Sequence, residues 1–344
     1  MRQPAFLCLM TGLVALFLIC LPRLSAAQES CAPPNIRTDV RPDPAGVATD
    51  VSVGALVVDL RGIDDVDQTI TLDIALRMRW TDPRLADWAG CRLKLTDVWY
   101  PMLLLRNSGR IFMRWPQTVS IEEGGQVTYL QRGAGTFSSY HSLESFPFDT
   151  QNIALRFFPL DWSKPKVNVV ADPDYSGIAS VVNISDWQVL SVSNVVDEQT
   201  LQTTGKTHAT LDLVLSLKRH SSFYVLKIML PIALIVSMSW MVFWIDAKEF
   251  GTQLGLSATA VLTMIAFIFA TTNMLPRLGY FTLLDRYIAV ATIFVFAALL
   301  QCLATGYFAT RGRAQIADRI DVVSRAVFPL AFAGLCTYLF WPMI

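Results

Sequence analysis

The chain has 344 residues, room for two ordinary domains, and is 53% hydrophobic with only 16% charged residues, a skew that soluble domains do not show. Its 28 Lys and Arg balance 28 Asp and Glu, so no basic surface recommends a nucleic-acid partner. The apolar excess sits at the extreme N-terminus and after Phe223, whereas Asn35 to His220 carries most of the Asp, Lys and Arg.

Arg2 precedes an apolar run from Ala5 to Leu21, followed by Pro22 and the small residues Ser25, Ala26 and Ala27. This predicts a secretory signal peptide over 1–27. A membrane anchor is the alternative, but the run is short against the roughly 30 Å of a bilayer core. Either way the next segment is exported.

From 28 to 220 the dominant pattern is alternation. Ile70, Leu72, Ile74, Leu76, Met78 and Trp80 take every second position, with mostly Thr, Asp or Arg between them, and Leu211, Leu213, Leu215 and Leu217 repeat the period. A half-buried strand requires this spacing. Turn signals at Glu123-Gly124-Gly125, Gly133-Ala134-Gly135 and Asp172-Pro173-Asp174 separate short strands and predict an extracytoplasmic, immunoglobulin-like β-sandwich. Of six cysteines, Cys8 and Cys20 belong to the leader and Cys302 and Cys336 to later apolar segments. The exported compartment permits a Cys31–Cys91 disulfide without requiring it. No Cys or His spacing suits a metal, and no cofactor is implied.

After His220 four apolar stretches follow, 223–245, 254–272, 287–310 and 326–344, each long enough to cross a membrane as a helix. They predict a four-helix transmembrane domain over 221–344. Only the first holds a charge, Lys227, near enough to its outer end to snorkel. An even number of spans returns the C-terminus to the side of the sandwich. Arg311–Arg325, with four Arg against two Asp, then faces the cytoplasm as the positive-inside rule asks. In the second stretch Gly255, Thr259, Leu262, Ala266, Phe269 and Asn273 recur at steps of three and four, with Thr252 continuing inward, so they share one helix face. Such a stripe packs against a neighbour or lines water. Taken alone, it favours packing.

Separated signatures then occur in a telling order: Trp80-Thr81-Asp82-Pro83-Arg84-Leu85, Asp97-Val98-Trp99-Tyr100-Pro101, Gly125-Gln126-Val127-Thr128-Tyr129, and Phe146-Pro147-Phe148-Asp149-Thr150-Gln151-Asn152. Arg219, Phe223-Tyr224, Pro231, Ser239 to Trp244 and Asn273-Met274-Leu275-Pro276-Arg277 complete the set. Together they resemble the Cys-loop receptor superfamily of pentameric ligand-gated ion channels across nearly the whole mature chain. Where animal receptors close a loop with a disulfide, this chain has Ser139 and Ile153, and its linker between the third and fourth helices is short. Both departures resemble the bacterial branch.

The resemblance implies a homopentamer in the bacterial inner membrane, multi-pass, with sandwich and C-terminus outside and the second helix facing a central pore. Its partners would be four identical subunits, membrane lipid, permeant inorganic ions and a small-molecule or proton agonist. Leu262 and Phe269 would form apolar rings that gate by dewetting. Glu249 at the inner mouth would attract cations, although Lys248 adjoins it and the stretch Gly255 to Met264 resembles anion-selective members, whose inner basic residue is Gln253 here. Asp149 and Arg219 would pair at the junction with the membrane, joined by an acid of the Asp64–Asp67 turn, taken as Asp65, with Pro147, Phe148 and Pro276 in the same coupling region. For the agonist, Ala75 and Arg106 stand where amine receptors place aromatics, and Phe158 and Trp162 lie nearby with Arg110 and Arg114 opposite. A simple amine, which needs π faces, is therefore disfavoured.

Three other readings compete. A membrane-anchored enzyme would need a nucleophile or metal set that His141, His208 and His220, read as surface or junction residues, do not supply. A secondary transporter would need repeat symmetry or broken helices. A non-conducting sensor differs from a channel only in carrying no current.

Overall fold

Strand β2 (Thr69–Thr81) realises the alternation: Ile70, Leu72, Ile74, Met78 and Trp80 are at most 5% exposed. It pairs antiparallel with β1 (Thr49–Asp64) and β7 (Gln126–Ser138). In the computed structural model, which describes residues 31–179, 184–246, 248–272 and 278–341, the remaining strands are β3 (Arg92–Lys94), β4 (Leu103–Leu105), β5 (Ser108–Met113), β6 (Thr118–Glu122), β8 (Thr150–Pro159), β9 (Val167–Ala171), β10 (Gly177–Ile178), β11 (Trp187–Thr200) and β12 (Thr207–Arg219). The signal peptide 1–27, Asn273 and Pro276 lie outside the described residues. One sheet runs β10-β1-β2-β7-β6-β3, with β5 on β7 and β9 on β1, and the other runs β11-β12-β8-β4. The even residues of β2 meet Leu211, Leu213, Leu215 and Leu217 of β12 and Ile153 and Leu155 of β8 in one core, the interdigitated filling of a two-sheet sandwich.

Charges on the sandwich are locked in place. Asp172, fully buried, accepts from Arg77 and Arg79; Asp82 pairs with Arg84, Asp73 with Arg132, and Asp212 with Arg156. Burial raises the Asp172 carboxyl, but the Arg77 guanidinium overcomes this and holds it below the usual range. At Gly125 the backbone has φ +77° and a Cβ would meet Asp82 O at 2.3 Å, so the turn before β7 admits only glycine without rearrangement. Cys31 and Cys91 form a disulfide tying the N-terminal segment to the residue that precedes β3.

Four long apolar helices follow: α1 (Ser222–Trp244), α2 (Phe250–Thr271), α3 (Leu283–Thr310) and α4 (Ala314–Phe340). All four start earlier than the apolar stretches suggest, α1 by a single residue and α4 by twelve (326 against 314). The expected turn Arg311–Arg325 is thus mostly helix, because 314–325 contains no Gly or Pro and keeps good helix formers. Hydropathy passes over it because it is charged. Ile228, Ile232 and Val236 of α1, Ala260, Val261 and Met264 of α2, and Leu284, Tyr287, Ala291 and Val295 of α3 form the bundle core, against which Phe332, Cys336 and Phe340 of α4 pack.

Candidate functional site

The sandwich ends on Arg219, the last residue of β12. Its Nε donates to Asp149 Oδ1 (2.8 Å) and its Nη2 to Asp149 Oδ2 (3.1 Å). Nη1 and Nη2 donate to Asp65 Oδ2 (2.6 Å) and Oδ1 (2.8 Å). The guanidinium lies 4.1 Å over the Trp187 ring and 4.8 Å over Phe146. Side-chain exposure is 2% for Arg219, 3% for Asp149 and 15% for Asp65, so both faces and both edges of the cation are occupied. Burial opposes the charge on Arg219, but its hydrogen bonds to Asp65 and Asp149 outweigh this and raise its pKa. Asp65 is likewise pushed up by burial and pulled down further by His141 and Arg219, leaving its carboxyl below the usual range.

The local sequence explains which acid joins. Asp64 Oδ1 accepts from the backbone N–H groups of Val66 (2.9 Å) and Asp67 (3.0 Å), so it shapes the turn while its neighbour Asp65 reaches Arg219. Gln151 Nε2 holds Asp149 Oδ2 (2.7 Å) and Ser142 O (2.6 Å). His141, buried, sets Nε2 3.2 Å from Asp65 Oδ1 while its Nδ1 has no partner among the described residues.

From this cluster the segment 143–148 runs onto the helices. Leu143 and Phe146 are buried in the bundle core, and Pro147 is buried too. Phe146 meets Tyr224 of α1 edge-on at 4.6 Å, and Phe148 meets Phe340 of α4 at 5.7 Å. Helix α3 begins against the same segment. Its first N–H groups need outside acceptors, and Leu283 N donates to Glu144 O (2.9 Å), Leu284 N to Phe146 O (3.1 Å) and Asp285 N to the capping Thr282 Oγ1 (3.1 Å).

On α2 the predicted stripe is open. Thr252, Gly255, Thr259, Leu262, Ala266 and Phe269 are all exposed, Leu262 by 66% and Phe269 by 71%. The opposite face, with Gln253, Ser257, Ala260, Val261 and Met264, is buried within the subunit. Thr259 Oγ1 donates back to Gly255 O (2.8 Å). Glu249 immediately precedes the helix, exposed, with a side chain that makes no capping hydrogen bond.

The expected agonist residues do not gather. Arg106 is exposed in a cleft of about 480 Å³ with Asn107, Tyr140 and Arg156. Phe158 is buried edge-on against His208, and Trp162 packs on Trp99 against the core. Phe158, paired with Leu104 across β4 and β8, shares a sheet face with Arg106 but is covered by His208 and does not line the cleft. His208 is a correction: it is only 2% exposed, with Nδ1 2.9 Å from both Pro159 O and Trp162 O, and so is an internal brace. His220 is exposed, as expected.

Residues 35–221 match the family described as "Neurotransmitter-gated ion-channel ligand binding domain", and 228–315 match its "Neurotransmitter-gated ion-channel transmembrane region". The chain belongs to the neurotransmitter-gated ion channels. It is 27% identical over 282 residues to a gamma-aminobutyric acid receptor subunit beta of Caenorhabditis elegans, covering 78% of this chain and 51% of the relative. It is 26% identical to the subunit gamma-1 of Rattus norvegicus, covering 87% and 66%, and 27% identical to the subunit rho-1 of Mus musculus, covering 79% and 59%. The chain thus spans between half and two-thirds of the length of these relatives.

The family is one of channels, not catalysts, and the four apolar helices make this member a multi-pass membrane protein. Within it, the motif around Asp149 and the charged end of β12 meet as neighbours. Sequence reasoning missed the His141 contact to Asp65, since no local pattern links residues on two separate loops.

Proposed function

We propose that this chain is a subunit of a homopentameric ligand-gated ion channel of the bacterial inner membrane, with α2 lining the pore. The observation that carries this reading is the open stripe of α2: apolar and small side chains exposed on one face while the opposite face is buried in its own subunit. Repeated around an axis, Leu262 and Phe269 make apolar rings with Thr259 and Gly255 below them. Asp149, Arg219 and Asp65, with Pro147, Phe148 and Pro276, couple the sandwich to that stripe. The short turn between α3 and α4, the leader over 1–27 and the absence of cysteines at 139 and 153 support the bacterial assignment. The sandwich and C-terminus then face outward and the α3–α4 turn faces the cytoplasm. Glu249, free at the inner end of α2, favours cations. The likeness to gamma-aminobutyric acid receptors and the resemblance of 255–264 to anion-selective members support the opposite selectivity.

For the agonist we read Arg106 as a grip for a carboxylate, which a guanidinium binds with two parallel hydrogen bonds; the relatives' named ligand is an amino acid. The second reading is proton control, favoured by the buried ionisable cluster at the junction, where His141 meets Asp65 beside Arg219. The test is mass measurement of the solubilised protein with voltage-clamp recording in bilayers while pH, amines and carboxylates are varied. Five subunits and an evoked current are expected. A monomer or dimer that still carries evoked current overturns the pentamer, and activation by a simple alkylamine overturns the assignment of Arg106.

A further inference from the structure

The link between α1 and α2 is short and charged. Asp246, Lys248 and Glu249 are all exposed, and the last two are neighbours of opposite sign, so the field they present to a passing ion depends on how the link is held. Within it Asp246 Oδ1 accepts from Lys248 N (2.9 Å) and Asp246 O from Glu249 N (2.8 Å). The link is thus one unit, placed by whatever holds its ends.

The chain leaves α1 at Ile245, whose φ of −84° and ψ of 137° are extended, and a carbonyl at a helix end can take an outside donor. That donor is Gln253. Its Nε2 donates to Ile245 O (2.8 Å) and its backbone N–H to Glu249 O (3.1 Å), so one residue in the first turn of α2 grips both ends of the link. Gln253 is 1% exposed and turned away from the open stripe, with Oε1 3.9 Å from Cys302 Sγ of α3. Phe250, directly after Glu249, seats its ring where Gly306 of α3 has no side chain: a Cβ there would meet Phe250 Cδ2 at 2.1 Å. A buried amide costs free energy unless it is bonded, and methionine would fill a similar volume without that cost. What the amide adds is a fixed direction for the link.

We propose that Gln253 is a positioning residue for ion selection: without facing the pore, it fixes the α1–α2 link and thereby the place of the Glu249 carboxylate at the inner mouth, against the adjacent Lys248. The inference rests on the pore reading given above, in which Glu249 favours cations.

The test is the reversal potential of the full chain in bilayers under a salt gradient, with current evoked by a pH step or by gamma-aminobutyric acid, which gives the cation-to-anion permeability ratio. Gln253→Met should lower that ratio about fivefold, the effect of one hydrogen bond worth about 1 kcal/mol, with the stimulus needed for half-opening unmoved. In a background carrying both Lys248→Gln and Glu249→Gln it should shift nothing further, because the charges it places are gone. Ser257→Ala, one turn along on the same buried face and with an Oγ that has no partner among the described residues, should leave the ratio unchanged. An equal shift from Ser257→Ala, or a persisting shift in the neutral background, makes Gln253 a packing residue and overturns the proposal. If Gln253→Met does not assemble, Gln253→Asn keeps the amide but is one methylene too short for Ile245 O, and an unmoved ratio there overturns the proposal equally. A parent whose ratio ignores Glu249→Gln, or that carries no current under either stimulus, counts against the pore reading and the inference together. A response to Glu249→Gln with none to either Gln253 variant refutes the inference alone.

Discussion

The sandwich and the helical bundle treat polarity in opposite ways. In the sandwich every second side chain enters a shared core, and the buried charges are matched by partners in the same subunit, as Asp172 is by Arg77 and Arg79. In the bundle the stripe of α2 is left open. The first is a unit complete in itself; the second has faces whose partners are other subunits, water or lipid. Substitutions should therefore act on stability in the sandwich and on assembly or conduction in the bundle.

The sharpest challenge to that contrast is the junction. Arg219→Ala or Asp149→Ala strands a buried charge, a loss of about 3–5 kcal/mol, and should abolish opening while subunits still reach the membrane. A double-mutant cycle on gating should give an interaction well outside additivity; additive effects would reduce the pair to a surface contact. Next in size is Cys31→Ser, which opens a 60-residue span and should lower sandwich stability by about 2–4 kcal/mol, read as an earlier denaturant midpoint with conduction unchanged once folded. In the bundle, Leu262→Thr should leave stability nearly untouched yet raise spontaneous opening about tenfold, about 1.4 kcal/mol in gating. No gain in resting current would mean that Leu262 packs instead.

Asp65 offers a finer probe through pH. Its carboxyl is held below the usual value near 3.9, so its contribution to stability is complete above about pH 4 and is lost as pH falls through the lower folded value. Thermal midpoints should then decline more steeply for the parent than for Asp65→Asn below about pH 4, and in parallel between pH 7 and 5. Any acid activation seen between pH 5 and 7 must come from another group, and His141→Gln is the variant to record. The smallest effect belongs to Arg37–Asp39, both largely exposed. Asp39→Ala should change nothing measurable, and a clear loss would mean that exposed pairs in this sandwich are not the idle contacts they look to be.

The strands were legible because alternation is a local signal: the period of Ile70 to Trp80 and of Leu211 to Leu217 is what burial in a two-sheet core requires. The shared face of the α2 stripe was legible for the same reason, but the pattern alone favoured packing, and its opening was expected only from the family resemblance. Contacts between distant segments were less so. Asp149 and Arg219 came from motif order, but the choice of Asp65 over Asp64 depended on a side chain capping its own turn, and His141 left no trace at all. The agonist cleft was the least legible part. The family resemblance placed Phe158 and Trp162 near Arg106; Phe158 does share its sheet face, yet it is covered by His208 while Trp162 packs on Trp99 against the core, and the cleft is lined without either. The start of α4 was hidden because charged helical residues look like a loop to any measure of hydropathy.

The first turn of α3 borrows acceptors from main-chain carbonyls of Glu144 and Phe146, so beside the side-chain contacts of Leu143, Phe146 and Phe148 the sandwich is spliced to a membrane helix by main-chain hydrogen bonds. Displacement of the 143–148 segment reaches α3 partly through these bonds, along the helix axis. A survey of side-chain replacements would pass over this connection, since each variant keeps its N–H and C=O. Replacing the Leu284 amide by an ester removes a single donor and leaves every side chain intact. If that exchange slows opening as much as a charge deletion does, the mechanical link runs through the peptide chain itself, and tolerance to mutation at these positions says nothing about their importance.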